Sequence, residues 1–66
     1  MYNNYNQFIG YSFKDNTTGI VYKVLGLIRN YQTRKTEICI VNTEKFIKRY
    51  VTLKYFKENL KDNFIK

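Results

Sequence analysis

The sequence predicts a mainly β domain, a small curled antiparallel sheet followed by one short C-terminal helix. Three observations predict it. Runs rich in β-branched and aromatic residues recur between Phe8 and Val51, separated by polar segments that contain Asn, Asp, Thr or Gly, the composition of strands and their turns. Gly26 interrupts the strongest of these runs, where a bulge or bend would let a sheet curl. After Val51 the apolar spacing changes to three and four residues, through Leu53, Phe56, Leu60 and Phe64, and that spacing is helical.

Taken in order, Met1 to Gln7 is uncharged, rich in Asn and Tyr, and without a clear period. It reads as a flexible N-terminal arm, or as an edge strand that pairs late, and residues 8–66 as a single small domain. Phe8 to Phe13 reads as a short strand, with Ile9, Tyr11 and Phe13 on one face. Lys14 to Gly19 is a turn segment, because Asp15 and Asn16 cap their own turns and Gly19 takes a positive φ at no steric cost. Ile20 to Arg29 is the strongest strand. Strict alternation puts Ile20, Tyr22, Val24 and Ile28 on one face and Val21, Lys23, Leu25 and Leu27 on the other. Both faces are largely apolar, so this strand is expected to be covered on both sides, by closure of the sheet or by a second copy in a homodimer or higher oligomer.

Asn30 to Lys35 is a polar loop, Thr36 to Asn42 a third strand, and Phe46 to Val51 a fourth. In the fourth, Ile47, Arg49 and Val51 share one face, and Phe46, Lys48 and Tyr50 the other. A helix is predicted from about Thr52, a candidate N-cap, to about Asn63. Lys54, Lys57 and Lys61 form a second stripe beside its apolar one. The expected core comprises Tyr22, Val24, Ile38, Ile40, Val51, Leu53, Phe56 and Leu60. The closest architecture is an SH3-like partly open barrel whose end is closed by the helix.

The stretch from Gly10 to Leu60 carries a recognisable order of residues: Gly10, Phe13, Tyr22-Lys23-Val24-Leu25-Gly26, Thr33, Tyr50-Val51 and Phe56. In this it resembles a family of short, uncharacterised SH3-like domains from bacteria and phages. The chain lacks the His that such sequences often carry near their start. The family has no established activity, so the resemblance implies a fold. The composition also looks like that of small phage or mobile-element proteins, which points to a host-directed, anti-defence type of inhibitor as one class of function.

Composition excludes more than it assigns. A chain of 66 residues is one domain at most, and at this size folding buries only about 60% of the surface of the unfolded chain. Cys39 is the only cysteine and there is no histidine, so neither an internal disulfide nor a four-ligand zinc site can form. Cys39 lies between Ile38 and Ile40 and reads as a small core residue. The chain contains no phosphate-binding G-x-x-x-x-G-K-[ST] loop, no G-x-G-x-x-G and no G-x-S-x-G, and its acids are scattered. The expectation is a protein without catalytic residues, cofactor or metal. Met1 to Gln7 lacks the basic and apolar regions of a signal peptide, the longest apolar run, Val24 to Ile28, is too short to span a bilayer, and a lone thiol suits a reducing compartment. These point to the cytoplasm, a host's cytoplasm if the chain is phage-encoded, and to no membrane partner.

Twelve Lys and Arg against five Asp and Glu give a net charge of +7. That favours an anionic partner: nucleic acid first, and otherwise an acidic host protein or an anionic nucleotide sequestered by an inhibitor. The competing account is compositional, because Lys, Asn, Tyr, Ile and Phe have AT-rich codons. The basic and aromatic stretch from Lys45 to Lys61 supplies the strongest candidates, since clustered cations bind phosphate and aromatic rings stack on bases. The candidate residues are Lys48, Arg49, Lys54, Lys57 and Lys61 for charge and Tyr50 and Tyr55 for stacking. Arg34 and Lys35 join them from the polar loop, beside Arg29 and Tyr31. Tyr2, Tyr5 and Tyr11 would either form a contact surface or complete the core.

Overall fold

A computed structural model describes residues 2–65, and the side chains from Tyr5 onward. Five strands, β1 (Ser12–Lys14), β2 (Val21–Asn30), β3 (Lys35–Asn42), β4 (Lys48–Thr52) and β5 (Phe64–Ile65), form one antiparallel sheet in the order β4-β3-β2-β1-β5. A 3-10 helix (Tyr2–Phe8) precedes the sheet, and helix α1 (Leu53–Asn59) lies between β4 and β5. The sheet is curled and its edge strands, β4 and β5, do not pair. The fold is thus the expected mainly β one, a small curled antiparallel sheet that does not close, with one short helix near the C-terminus.

The three hairpins of the β1–β4 meander use one turn design. Asp15, Asn30 and Asn42 each open a turn, and the side-chain oxygen of each accepts from the backbone N–H two residues on: Thr17 at 2.8 Å, Gln32 at 3.0 Å and Glu44 at 2.8 Å. Four residues after the opening residue the backbone is left-handed, at Gly19 (φ 77°), Arg34 (φ 60°) and Phe46 (φ 58°). This is the local bonding for which Asp and Asn are favoured in turns. Only the first turn places glycine where positive φ is free of cost.

The curl originates where Gly26 suggested. Pairing of β2 with β3 steps from Val24↔Ile40 to Gly26↔Cys39, leaving Leu25 as the extra residue of a bulge. A bulge inverts the alternation beyond it. Tyr22, Val24 and Leu27 therefore face the helix, and Ile28 turns outward. Strict alternation had Leu27 and Ile28 the other way round. Within one chain the outer face of β2 is left partly open, since Leu25 and Ile28 are each 41% exposed.

The core forms between the inner face of the sheet and α1. Phe13, Tyr22, Val24, Ile38, Ile40, Val51, Phe56 and Leu60 are buried, and Leu53 is half-buried against them. Phe56 is fully buried, and the rings of Tyr5, Phe8 and Phe13 lie 6.0, 5.4 and 5.1 Å from its own. Tyr5 thus contributes to the core. Tyr11 is exposed, and the Tyr2 side chain lies outside the described residues.

Several boundaries differ from the sequence prediction for local reasons. Gly10 has φ 91° and its N–H bonds to the Val24 carbonyl, so the chain cannot run extended from Phe8 and β1 starts only at Ser12. The N-terminal segment is helical from Tyr2 to Phe8, in place of an edge strand. Phe46 and Ile47 belong to the β3–β4 turn, so Ile47 is exposed although Arg49 and Val51 do face inward. Thr52 caps α1 as expected, its hydroxyl accepting from the Tyr55 N–H at 3.0 Å. The helix ends at Asn59, and the side chains of Asn59 and Asn63 bond back to the carbonyls of Tyr55 and Asn59. Phe64, on the apolar helical spacing, instead sits in β5 opposite Phe13.

Candidate nucleic-acid interface

Two groups of basic and aromatic residues separate once the fold is known. One centres on Asp15, whose side chain is fully buried, and includes Arg49, whose side chain stays 44% exposed. The Asp15 Oδ1 accepts from the Thr17 hydroxyl at 2.6 Å, and its Oδ2 accepts from the Tyr55 hydroxyl at 2.5 Å. The Arg49 guanidinium stands 3.9 Å from Oδ2, donates to the Tyr22 hydroxyl at 3.5 Å and lies over the Tyr55 ring, 5.2 Å from its centre. Burial pushes the Asp15 carboxyl up. The Thr17 and Tyr55 hydroxyls, the Thr17 N–H and the Arg49 charge outweigh it, and hold the carboxyl below the ordinary aspartate value. The Tyr22 hydroxyl in turn holds Arg49 more firmly in its charged form. Arg49 and Tyr55, two of the residues the sequence offered to a partner, are thus occupied in joining β4 and α1 to the β1–β2 turn.

The other group follows β4, which is an edge of the sheet. Lys48 and Tyr50 point outward from it, opposite Val41 and Cys39. Lys23 flanks Val41 from the other side, on β2. Tyr50 is 53% exposed, and it and Gly26 flank Cys39 from opposite sides. From Lys48 to Thr52 the strand runs about 13 Å at the usual rise per residue.

Where β4 passes into α1, it meets the β2–β3 hairpin. There Arg29, Arg34, Lys35, Thr36, Thr52 and Lys54 line a cleft of about 630 Å³. A second cleft of about 860 Å³ adjoins it, sharing Arg29, Arg34 and Thr36 and adding Asn6, Leu27, Ile28 and Tyr31. None of the acids lines either cleft. The nearest carboxylate in register is Glu37, opposite Ile28 and Thr52 on the outer face, and it accepts from Asn30 Nδ2 at 3.4 Å. Arginine forks, ammonium groups and threonine hydroxyls are the donors that bind phosphate oxygens. The Tyr31 ring, 86% exposed, and Tyr50 are flat surfaces on which bases stack.

Of the sequence candidates, Arg34, Lys35, Lys48, Tyr50 and Lys54 thus lie along one edge. Lys57 and Lys61 are exposed on and just after α1; neither lines the cationic cleft, and Lys61 borders a different, apolar one. Arg29, beside the loop candidates in sequence, lines the cleft with them, whereas Lys23 lies on the central strand β2, two strands in from the edge. Cys39 is buried on the outer face, and among the described residues no group of three or more His, Cys, Asp or Glu could hold a metal ion. No described helix is long and apolar enough to cross a membrane.

No protein-family model, curated protein or solved structure matches the chain.

Proposed function

We propose that this protein is a non-enzymatic module that binds single-stranded nucleic acid along the β4 edge and into the cationic cleft. The observation that carries this reading is the convergence of Arg29, Arg34, Lys35 and Lys54 on one cleft that no carboxylate lines and that Thr52, at the end of the strand bearing Lys48 and Tyr50, also lines. Phosphates occupy the cleft and follow the lysines, and bases stack on Tyr50 and Tyr31. Single strands suit this edge better than duplex. α1 has only seven residues and its Phe56 face is buried in the core, so it cannot serve as a recognition helix in a major groove. Exposed rings act on unstacked bases.

Fluorescence anisotropy with labelled single- and double-stranded DNA and RNA at a series of salt concentrations tests the proposal. If all five edge cations (Arg29, Arg34, Lys35, Lys48 and Lys54) engage phosphate, affinity for a single strand falls with a log–log salt slope of about −3 to −4. Lys54→Glu weakens binding to every sequence and flattens that slope by about one unit, whereas Lys57→Glu has a smaller effect. Absence of binding at low salt, where screening is weakest, contradicts the proposal and leaves an acidic protein surface as the partner suited to the charge.

A further inference from the structure

We infer that the cleft bordered by Asn6, Leu27 and Tyr31 receives one purine base of the bound strand, while a phosphate of that nucleotide lies in the adjoining cationic cleft. The inference rests on the proposed function and adds to it a position at which the base is read. The two clefts share a floor. Leu27 pairs with buried Ile38 and packs on the core. Strand alternation turns the next inward pair, Arg29↔Thr36, the same way, and Arg29, Thr36 and Arg34 border both clefts. On one side the floor leads to Thr52 and Lys54, where α1 begins. On the other it leads to Leu27 and to Asn6 of the 3-10 helix.

Local structure sets each of these groups. Tyr5 and Phe8 are three apart, so they share one face of a 3-10 helix. Both pack on the core, and this turns Asn6 to a neighbouring face, where it borders the cleft. Tyr31 and Arg34 belong to the β2–β3 turn, which Asn30 Oδ1 holds by accepting from the N–H groups of Gln32 and Thr33. The two compartments differ in chemistry. The one of about 630 Å³ adds Lys35 and Lys54 to the shared arginines. The one of about 860 Å³ adds no further cation, and brings instead the aliphatic Leu27, the Tyr31 ring and the Asn6 amide. A nucleotide is divided in the same way, into an anionic phosphate and, one sugar away, a flat base with apolar faces and a polar edge. The base stacks on Tyr31 and meets Leu27, and the Asn6 amide supplies a donor and an acceptor to its edge. Purines suit the compartment best. They have the larger stacking face, and both carry N7, an acceptor that pyrimidines lack, for the Asn6 amide or an arginine fork to meet.

Fluorescence anisotropy at low salt tests this with a short all-thymidine DNA strand and three relatives whose central base is adenine, guanine or cytosine. Both purine-bearing strands bind about five- to tenfold more tightly than the other two. Asn6 and Tyr31 are exposed, so their variants keep the fold. Asn6→Ala leaves affinity for the all-thymidine strand unchanged and cuts the purine preference at least by half. Tyr31→Ala weakens all four strands and brings them level. Lys54→Glu weakens all four alike and keeps the preference, because it touches only the phosphate. Equal binding of the four strands by the wild type overturns the inference and leaves the proposed function standing. So does a purine preference that survives both Asn6→Ala and Tyr31→Ala. Binding of none of the strands overturns the proposed function, and this inference with it.

Discussion

Asp15 makes connections far beyond its own turn. Its carboxylate links the β1–β2 hairpin to Tyr55 on α1 and Arg49 on β4. Asp15→Ala leaves those partners without an acceptor and costs about 2–3 kcal/mol, measurable by urea denaturation at neutral pH. The carboxyl is held below its ordinary value in the fold, so the unfolded chain binds its proton first as pH falls. The contribution is complete above about pH 4, the value of a free aspartate, and is lost as pH drops through the lower folded value. Denaturation curves from pH 6 to pH 2 should show this loss in the wild type and lack it in Asp15→Ala. The left-handed residues give a second expectation at this scale. Arg34→Gly removes a backbone cost of about 1 kcal/mol and raises the urea midpoint, yet weakens oligonucleotide binding, because the side chain belongs to the cleft. The sequence revealed Asp15 as a turn former, but its partner Tyr55 lies 40 positions away and Arg49 on a different strand, separations that no local pattern reports.

At the scale of elements, β2 shows how far periodicity reads and where it stops. Alternation correctly assigns Tyr22 and Val24 to the core, and Gly26 correctly marks the irregularity. It cannot tell on which side of Gly26 the extra residue lies or that the phase inverts beyond it, and so it exchanges Leu27 with Ile28. Leu27→Ala should therefore cost about 2 kcal/mol, at the low end for a core leucine because it is only half-buried. Ile28→Thr should stay within about 0.5 kcal/mol. Thermal or urea denaturation of the two variants checks the inversion. Helix α1 shows the same limit. Its cap at Thr52 and its face through Leu53, Phe56 and Leu60 are local and legible, and Thr52→Ala should cost about 1 kcal/mol. Its end is set by the back-bonding of Asn59 and Asn63 and by the pairing of Phe64 with Phe13, a tertiary event. Phe64 satisfies the helical spacing by coincidence.

For the whole molecule, a small core and a large charge set the terms. Phe56 is ringed by three aromatic side chains, and Phe56→Ala, at about 3–5 kcal/mol, approaches the entire stability of a domain this size; circular dichroism should find it largely unfolded. The charge is not spread evenly in its uses. Arg49 holds the fold together, and Arg29, Arg34, Lys35, Lys48 and Lys54 remain available along one edge. Clustering of cations and rings was legible as composition between Lys45 and Lys61. How they are used depended on strand register and on the Asp15 network: Arg49 and Tyr55 are tied to Asp15, with Arg49 still 44% exposed, and Arg29 lines the cleft with Arg34 and Lys35. The most direct test of the proposed interface is an amide chemical-shift titration of the labelled protein with a short single-stranded oligonucleotide at low salt. The account predicts shifts concentrated at Arg29, Arg34, Lys35, Lys48, Tyr50, Thr52 and Lys54, with Lys61 and Phe64 unmoved. Shifts centred on Lys61 and Phe64, or none at saturating oligonucleotide, would contradict it.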